Sequence, residues 1–153
     1  MRLVKESLNE LNFQRKMDDP LVALGIGKKQ LIKNWLDEMG VEHYVINEDL
    51  TIDVKGSVDF ISKHPFLGQQ FPDYIQFYKV YENFYCNDNN LTSLRGCPRY
   101  VGNWFSCESN ELTSLNGCPI KVGAQFYCRG NKTEFTIMDV LELCEVREDY
   151  IFC

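Results

Sequence analysis

Seven cysteines hold most of the chemical capacity of this sequence: Cys86, Cys97, Cys107, Cys118, Cys128, Cys144 and Cys153. A thiolate is a nucleophile and a soft metal ligand, and two thiols make a disulfide. Zinc asks for tetrahedral donors, usually announced by close cysteine pairs. No Cys-x-x-Cys occurs, and neither His43 nor His64 has a neighbouring ligand pattern. A catalytic cysteine asks for a base beside it. Cys97 and Cys118 instead stand in two equivalent Gly-Cys-Pro turns, which points to structure. Gly25-Ile26-Gly27-Lys28-Lys29 lacks the spacing of a phosphate loop and its Ser/Thr after Lys, so it reads as a helix-start turn. The chain is expected to be no enzyme and to use neither metal nor cofactor.

A disulfide scaffold is also disfavoured. The cysteine count is odd, and Met1-Arg2-Leu3-Val4-Lys5-Glu6 meets charge before any apolar run of signal-peptide length. Free cysteine behaves as a small, frequently buried hydrophobe. Reduced packing thiols and an intracellular setting are expected.

The elements that place these cysteines repeat. Cys86, Cys107 and Cys128 stand 21 residues apart. The unit Phe-x-Cys-x-x-Asn-x-Leu-x-x-Leu fits Phe84, Cys86, Asn89, Leu91 and Leu94, then Phe105, Cys107, Asn110, Leu112 and Leu115. A third copy opens at Phe126-Tyr127-Cys128 and decays after Asn131, where Lys132-Thr133 stands in place of Leu. Val54 to Phe60 matches Val80 to Cys86 in apolar spacing and reads as a divergent first copy, 26 residues ahead. A fixed period in the twenties marks a solenoid, in which each repeat buries its apolar face only against its neighbours.

The unit resembles the leucine-rich repeat, with Phe and Cys in the paired strand positions usually held by Leu. The resemblance covers about residues 51–135. It implies that Asn89, Asn110 and Asn131 bond backbone groups where the chain leaves each strand, forming a ladder. The Leu-Thr-Ser-Leu-x-Gly-Cys-Pro turn is similar to short repeats in proteins of large bacteriophages and some bacteria. One departure is that the first strand position shifts to Val80, Val101 and Val122, with Gly102 and Gly123 following the last two.

The expected fold is an α/β solenoid of leucine-rich-repeat-like parallel strands, three to four coils long, with helical caps at both ends. Residues 1–18 read as an N-terminal arm and 19–50 as a helical cap. The solenoid spans 51–135, and 136–153 form a capping helix and tail. Asp19-Pro20 suits a helix start. Lys28 to Met39 carries an apolar stripe of Leu31, Ile32, Trp35, Leu36 and Met39, closed by Gly40. Tyr44 to Ile46 and Thr51 to Val54 alternate as strands around Asn47-Glu48-Asp49. Thr136 and Asp139 have capping-box spacing, with Phe135 and Val140 placed as a staple, ahead of a helix over 137–146.

Side chains alternate along a strand, so Phe and Cys point inward and the residues between them outward. One outward row reads Ser57, Asn83, Trp104, Gln125. The next reads Asp59, Tyr85, Ser106, Tyr127, and a third Ile61, Asn87, Glu108, Arg129. Trp104, Tyr85 and Tyr127 are candidate anchors, because such aromatics are enriched in binding hot spots. Asp59, Glu108 and Arg129 would set charge preference, with Asn83 and Gln125 beside them.

Net charge is −6. Residues 1–36 contribute +3 and residues 37–153 contribute −9. The acidic body argues against general nucleic-acid binding, although an acidic chain can bind through a local patch. No stretch approaches the ~20 apolar residues of a membrane span. The expected partner is another protein, engaged through the strand face. Two further expectations stand beside it: a phage structural or assembly protein docking by its 1–18 arm, in host cytoplasm or virion, or an inhibitor of a host enzyme, whose acidic surface it would share with protein mimics of nucleic acid.

Overall fold

The computed structural model of the protein describes residues 26–63 and 67–153. The arm over 1–18, the Asp19-Pro20 helix start, Gly25 and His64 lie outside the described residues.

Each coil carries two very short strands, one in each of two sheets. Helix α1 (Ile26–Glu38) precedes a hairpin of β1 (Tyr44–Ile46) and β2 (Ile52–Val54). Then come β3 (Val58–Asp59), β4 (Phe77–Val80), β5 (Phe84–Tyr85), β6 (Tyr100–Val101), β7 (Phe105–Ser106), β8 (Lys121–Val122) and β9 (Phe126–Tyr127). Helix α2 (Ile137–Leu141), a 3-10 turn over Glu148–Tyr150 and β10 (Ile151–Phe152) complete the described chain. One sheet, here sheet A, runs β1-β2-β4-β6-β8, and sheet B runs β10-β9-β7-β5-β3. All pairings are parallel except the β1–β2 hairpin.

The period in the sequence becomes register in the sheets. Val58, Phe84, Phe105, Phe126 and Ile151 are aligned on sheet B, while Val54, Val80, Val101 and Val122 are aligned on sheet A. All nine are buried. Phe84 and Phe105 stack with ring centroids 6.1 Å apart, and Phe105 and Phe126 meet tilted at 5.0 Å. Removing a Leu or Phe side chain from water contributes about 1.5–3 kcal/mol. Leu91, Leu94, Leu112 and Leu115 are buried too. The Val-Gly segments that depart from the leucine-rich pattern are the strands and corners of sheet A. In the Gly-Cys-Pro turns, Gly96 and Gly117 have φ of 94° and 89°, which side chains rarely adopt.

The predicted asparagine ladder is present. Asn89, Asn110 and Asn131 each donate through Nδ2 to backbone carbonyls of their own coil and the coil before. Asp88, Ser109 and Gly130 take positive φ just ahead of them, where the chain leaves the strand.

Helix α1 lays Ile32, Trp35, Leu36 and the following Met39 into the core beside the first coil, and Leu31 is buried as well. Trp35 meets Phe60 and Phe71 edge-on, at 5.6 and 6.3 Å. Gly40, at φ 74°, ends the helix as expected, with the Val41 N–H donating to the Leu36 carbonyl at 2.9 Å. In α2, Thr136 Oγ1 accepts from the Asp139 N–H at 3.2 Å, and Asp139 Oδ2 accepts from the Thr136 N–H at 2.8 Å. This helix stops at Leu141, five residues short of the predicted end. The chain then turns so that Cys144 is buried and Glu145 bridges to Lys121 beside β8.

Three expectations need correction. The stack has about five coils where three to four are expected, because the hairpin and the tail each add a strand to a five-stranded sheet. The tail is the last strand of sheet B, pairing Ile151 with Phe126 and Phe152 with Tyr127. Nor are all the cysteines reduced: Cys128 and Cys153 form a disulfide. The same register that pairs β10 with β9 sets the two cysteines side by side, with Cα atoms 4.8 Å apart. Cys86, Cys97, Cys107, Cys118 and Cys144 are free and buried. The disulfide removes the cysteine argument for a reducing compartment.

Candidate binding face

The outer surface of sheet B gathers the residues singled out from the sequence. Its three rows are set by parallel hydrogen bonding between coils. Asn83, Trp104 and Gln125 are in line, because Phe84 N–H donates to Trp104 O and Phe105 N–H to Gln125 O, at 2.8 and 2.9 Å. Asp59, Tyr85, Ser106, Tyr127 and Phe152 form the middle row. Asn87, Glu108 and Arg129 form the third, joined by bonds from Asp88 N–H to Glu108 O and Ser109 N–H to Arg129 O.

Not all of these residues meet. Trp104 is 41% exposed and contacts Tyr127 edge-on at 6.2 Å. Tyr127 stacks on Phe152 at 5.0 Å, and the Arg129 guanidinium lies over Phe152 at 5.7 Å. Trp104, Tyr127, Phe152 and Arg129 therefore make one contiguous aromatic-cationic cluster. Tyr85 sits apart, separated from Tyr127 by Ser106, which is buried despite its outward register. Burial and the nearby Asp59 carboxylate push the Tyr85 phenol up. Asp59 is exposed and accepts from the Ile61 N–H at 3.0 Å. Glu108 does not pair with Arg129, which turns to Phe152 instead. Asn83 Oδ1 accepts from the Trp104 N–H at 3.1 Å and steadies the tryptophan's backbone. Gln125 is half-buried, with Oε1 enclosed and unpartnered among the described residues.

Phe152 is absent from the sequence-derived candidates because 136–153 reads there as a capping helix and tail, outside the repeats. The signal was present: Ile151-Phe152-Cys153 echoes Phe126-Tyr127-Cys128, 25 residues on.

The thiols offer little chemistry to this face. Cys86 and Cys107 donate to Ser106 O and Tyr127 O at 3.3 and 3.5 Å, each reaching the next coil. Burial pushes Cys97 and Cys107 far above the ordinary thiol range, and Cys118 and Cys144 up to about 12. A thiolate, the form that attacks or binds metal, is therefore disfavoured at neutral pH. Among the described residues, no group of three or more His, Cys, Asp or Glu side chains is placed to hold a metal ion. A thiol-reactive disulfide reagent at pH 7 should label native protein very slowly. After unfolding without reductant it should find five thiols, and after reduction all seven. Seven without reductant would show that Cys128 and Cys153 are not joined.

No family model matches the chain, and no curated protein or solved structure matches it. Among the described residues, no helix is long and apolar enough to cross a membrane.

Proposed function

We propose that the chain is a non-catalytic protein-interaction module, a short leucine-rich-repeat-like solenoid that engages another protein through the outer face of sheet B. In this reading α1 and α2 close the two ends of the stack. The observation that carries it is the Trp104–Tyr127–Phe152 cluster. Three aromatic rings in contact, one of them 41% exposed, stand on strands fixed by coil-to-coil hydrogen bonds. Rigid aromatic anchors lose little conformational entropy on binding and dominate hot-spot energetics. Arg129 at one side and Glu108 beside it, with Asp59 farther along the same face beside Tyr85, set the charge preference of a partner.

The test is Trp104→Ala. Loss of a central aromatic anchor costs 2 kcal/mol or more, about 30-fold in affinity. Trp104 lies outside the core, so the melting temperature should move by no more than about 3 °C. Partners captured by the wild type and lost by the variant, with Tm preserved, support the reading. Undiminished capture, or capture surviving while Tm collapses, sinks it.

A further inference from the structure

Sheet A carries a surface of different character from sheet B. One outward row reads Asp53, Lys79, Tyr100, Lys121 in register. The neighbouring row places Tyr81, Gly102 and Gly123 beside the residues that follow Val54, Val80 and Val101, through Tyr81 N–H to Val54 O, Gly102 N–H to Val80 O and Gly123 N–H to Val101 O. On the other side Arg99 N–H donates to Tyr78 O at 3.0 Å, bringing Arg99 alongside Tyr78.

Cations and tyrosines interleave here. Lys55 and Lys79 both stand over the Tyr81 ring, at 4.9 and 4.4 Å from its centroid. Tyr78 meets Tyr100 edge-on at 5.4 Å. Tyr78 and Tyr81 are each 41% exposed. Gly102 and Gly123 carry no side chain, and with Tyr78, Lys79, Tyr100, Val101 and Lys121 they line an open recess of about 500 Å³. Two carboxylates face the four cations. Glu145 reaches Lys121 at 3.7 Å, and half-buried Asp53 lies beside Lys79 in register. Glu82, at the corner, is engaged by the Ser57 hydroxyl at 3.1 Å. Among the described residues, no carboxylate comes within 4.0 Å of the charged groups of Lys55, Lys79 or Arg99.

On a chain of net charge −6, this face is locally cationic. The Debye length is about 8 Å at physiological salt, so distant acidic groups do not cancel it. Cations beside exposed rings are what a single-stranded nucleic acid requires: ammonium and guanidinium groups for phosphates, ring faces for bases. An acidic peptide would use the cations and leave the exposed Tyr78 ring without a role. Four strands ~4.8 Å apart span about 14 Å, room for a short stretch of single strand. We propose that the outer face of sheet A is a low-affinity, sequence-tolerant binding site for single-stranded nucleic acid. The acidic average of the chain conceals this patch, and the site is independent of the protein-docking role given to sheet B.

The experiment is fluorescence anisotropy of the full chain with a fluorescein-labelled 20-nucleotide dT strand and its U counterpart, at 50 and 200 mM salt. Binding at 50 mM salt is expected, weakening at least 10-fold at 200 mM as phosphate contacts release counterions. The pair Lys55→Glu and Lys79→Glu should weaken binding more than 10-fold. The pair Lys63→Glu and Lys132→Glu changes net charge equally, away from this face, and should change it less than 3-fold. Tyr78→Ala, which removes an exposed ring and no charge, should weaken binding about 10-fold through lost stacking. No binding at 50 mM salt overturns the proposal, as do equal losses in the two charge-reversal pairs or an unchanged affinity for Tyr78→Ala. Displacement of the oligonucleotide by poly-glutamate at equal charge concentration overturns it too, and assigns the face to acidic peptides. A failure here leaves the Trp104 result untouched, because the two faces lie on different sheets.

Discussion

Replacing Asn110 with alanine should destabilise the solenoid by about 4 kcal/mol. The residue is 4% exposed and makes five hydrogen bonds across two coils. Its Nδ2 donates to the carbonyls of Cys86, Cys107 and Glu108, at 3.0, 3.0 and 3.2 Å. Two of these carbonyls have a second donor: Cys86 O also receives Asn89 Nδ2, and Cys107 O receives Asn131 Nδ2. The larger loss is on the acceptor side. Asn110 Oδ1 takes the backbone N–H groups of Asn89 and Leu91, both at 3.0 Å, and both are buried. Alanine leaves two enclosed N–H donors without an acceptor, at roughly 1–3 kcal/mol each. That is a large share of the 5–15 kcal/mol typical of a whole domain. Asn131 supplies the comparison. It is less buried, and its Oδ1 accepts one N–H, from Leu112 at 3.2 Å. Asn131→Ala should therefore cost about half as much. Denaturant unfolding of both variants decides the matter: a loss at Asn131 equal to that at Asn110 would refute the count of orphaned donors.

Asn89 shows how the ladder begins. Its Nδ2 donates to Phe60, Cys86 and Asn87, at 2.6, 3.0 and 3.0 Å. Its Oδ1 is buried without a partner among the described residues. In the later coils that oxygen receives N–H groups of the coil before, in the positions held by Asn89 and Leu91 for Asn110. The coil before Asn89 is the divergent one, 26 residues ahead, and none of its described residues supplies an N–H to this oxygen.

Legibility in the sequence tracked strictness of period. The Phe column, the Asn ladder and the three outward rows were readable because each recurs every 21 residues and strands alternate in direction. Sheet A was hidden in plain view: Val80, Val101 and Val122 looked like shifted members of a single strand. A two-residue strand leaves too short an alternation to be distinguished from a turn. The last strand and its disulfide escaped for a different reason. The insertion that forms α2 lengthens the final spacing to 25 residues and replaces Phe by Ile. The candidate site divides along the same line. Trp104 and Tyr127 lie on strict repeats, whereas their third ring, Phe152, does not. The cationic face of sheet A was invisible because its cations and tyrosines trade places from coil to coil, so no single column repeats.

Gly102→Ala should lower the melting temperature by about 10 °C, and Gly102→Ala with Gly123→Ala should abolish the cooperative transition. A methyl on Gly102 would lie 1.9 Å from the Tyr81 carbonyl oxygen, and one on Gly123 would lie 2.0 Å from the Gly102 oxygen. Both obstacles are backbone, so no rotamer change relieves them. Neither glycine has positive φ, so the requirement is for space and not for an unusual dihedral. Relief means moving one coil away from the next at the corner joining the two sheets. Three coil-to-coil bonds sit there: Gly102 N–H to Val80 O, Asn103 N–H to Glu82 O and Gly123 N–H to Val101 O, each 2.9 Å. An outward shift of an ångström stretches such bonds past useful length. The disturbance does not stay local, because register on sheet A and the Phe column on sheet B are set by the same stacking distance. Overpacking a core with flexible neighbours costs about 1–3 kcal/mol. With backbone as the obstacle, a loss at or above the top of that range is expected, which at ~2–4 °C per kcal/mol gives the stated shift. Gly56, with nothing within 4 Å of its added methyl, is the control, and Gly56→Ala should shift Tm by less than about 2 °C. Circular dichroism melts of the three variants would decide: a Gly102→Ala melt matching that of Gly56→Ala would mean that the coils do not pack this closely.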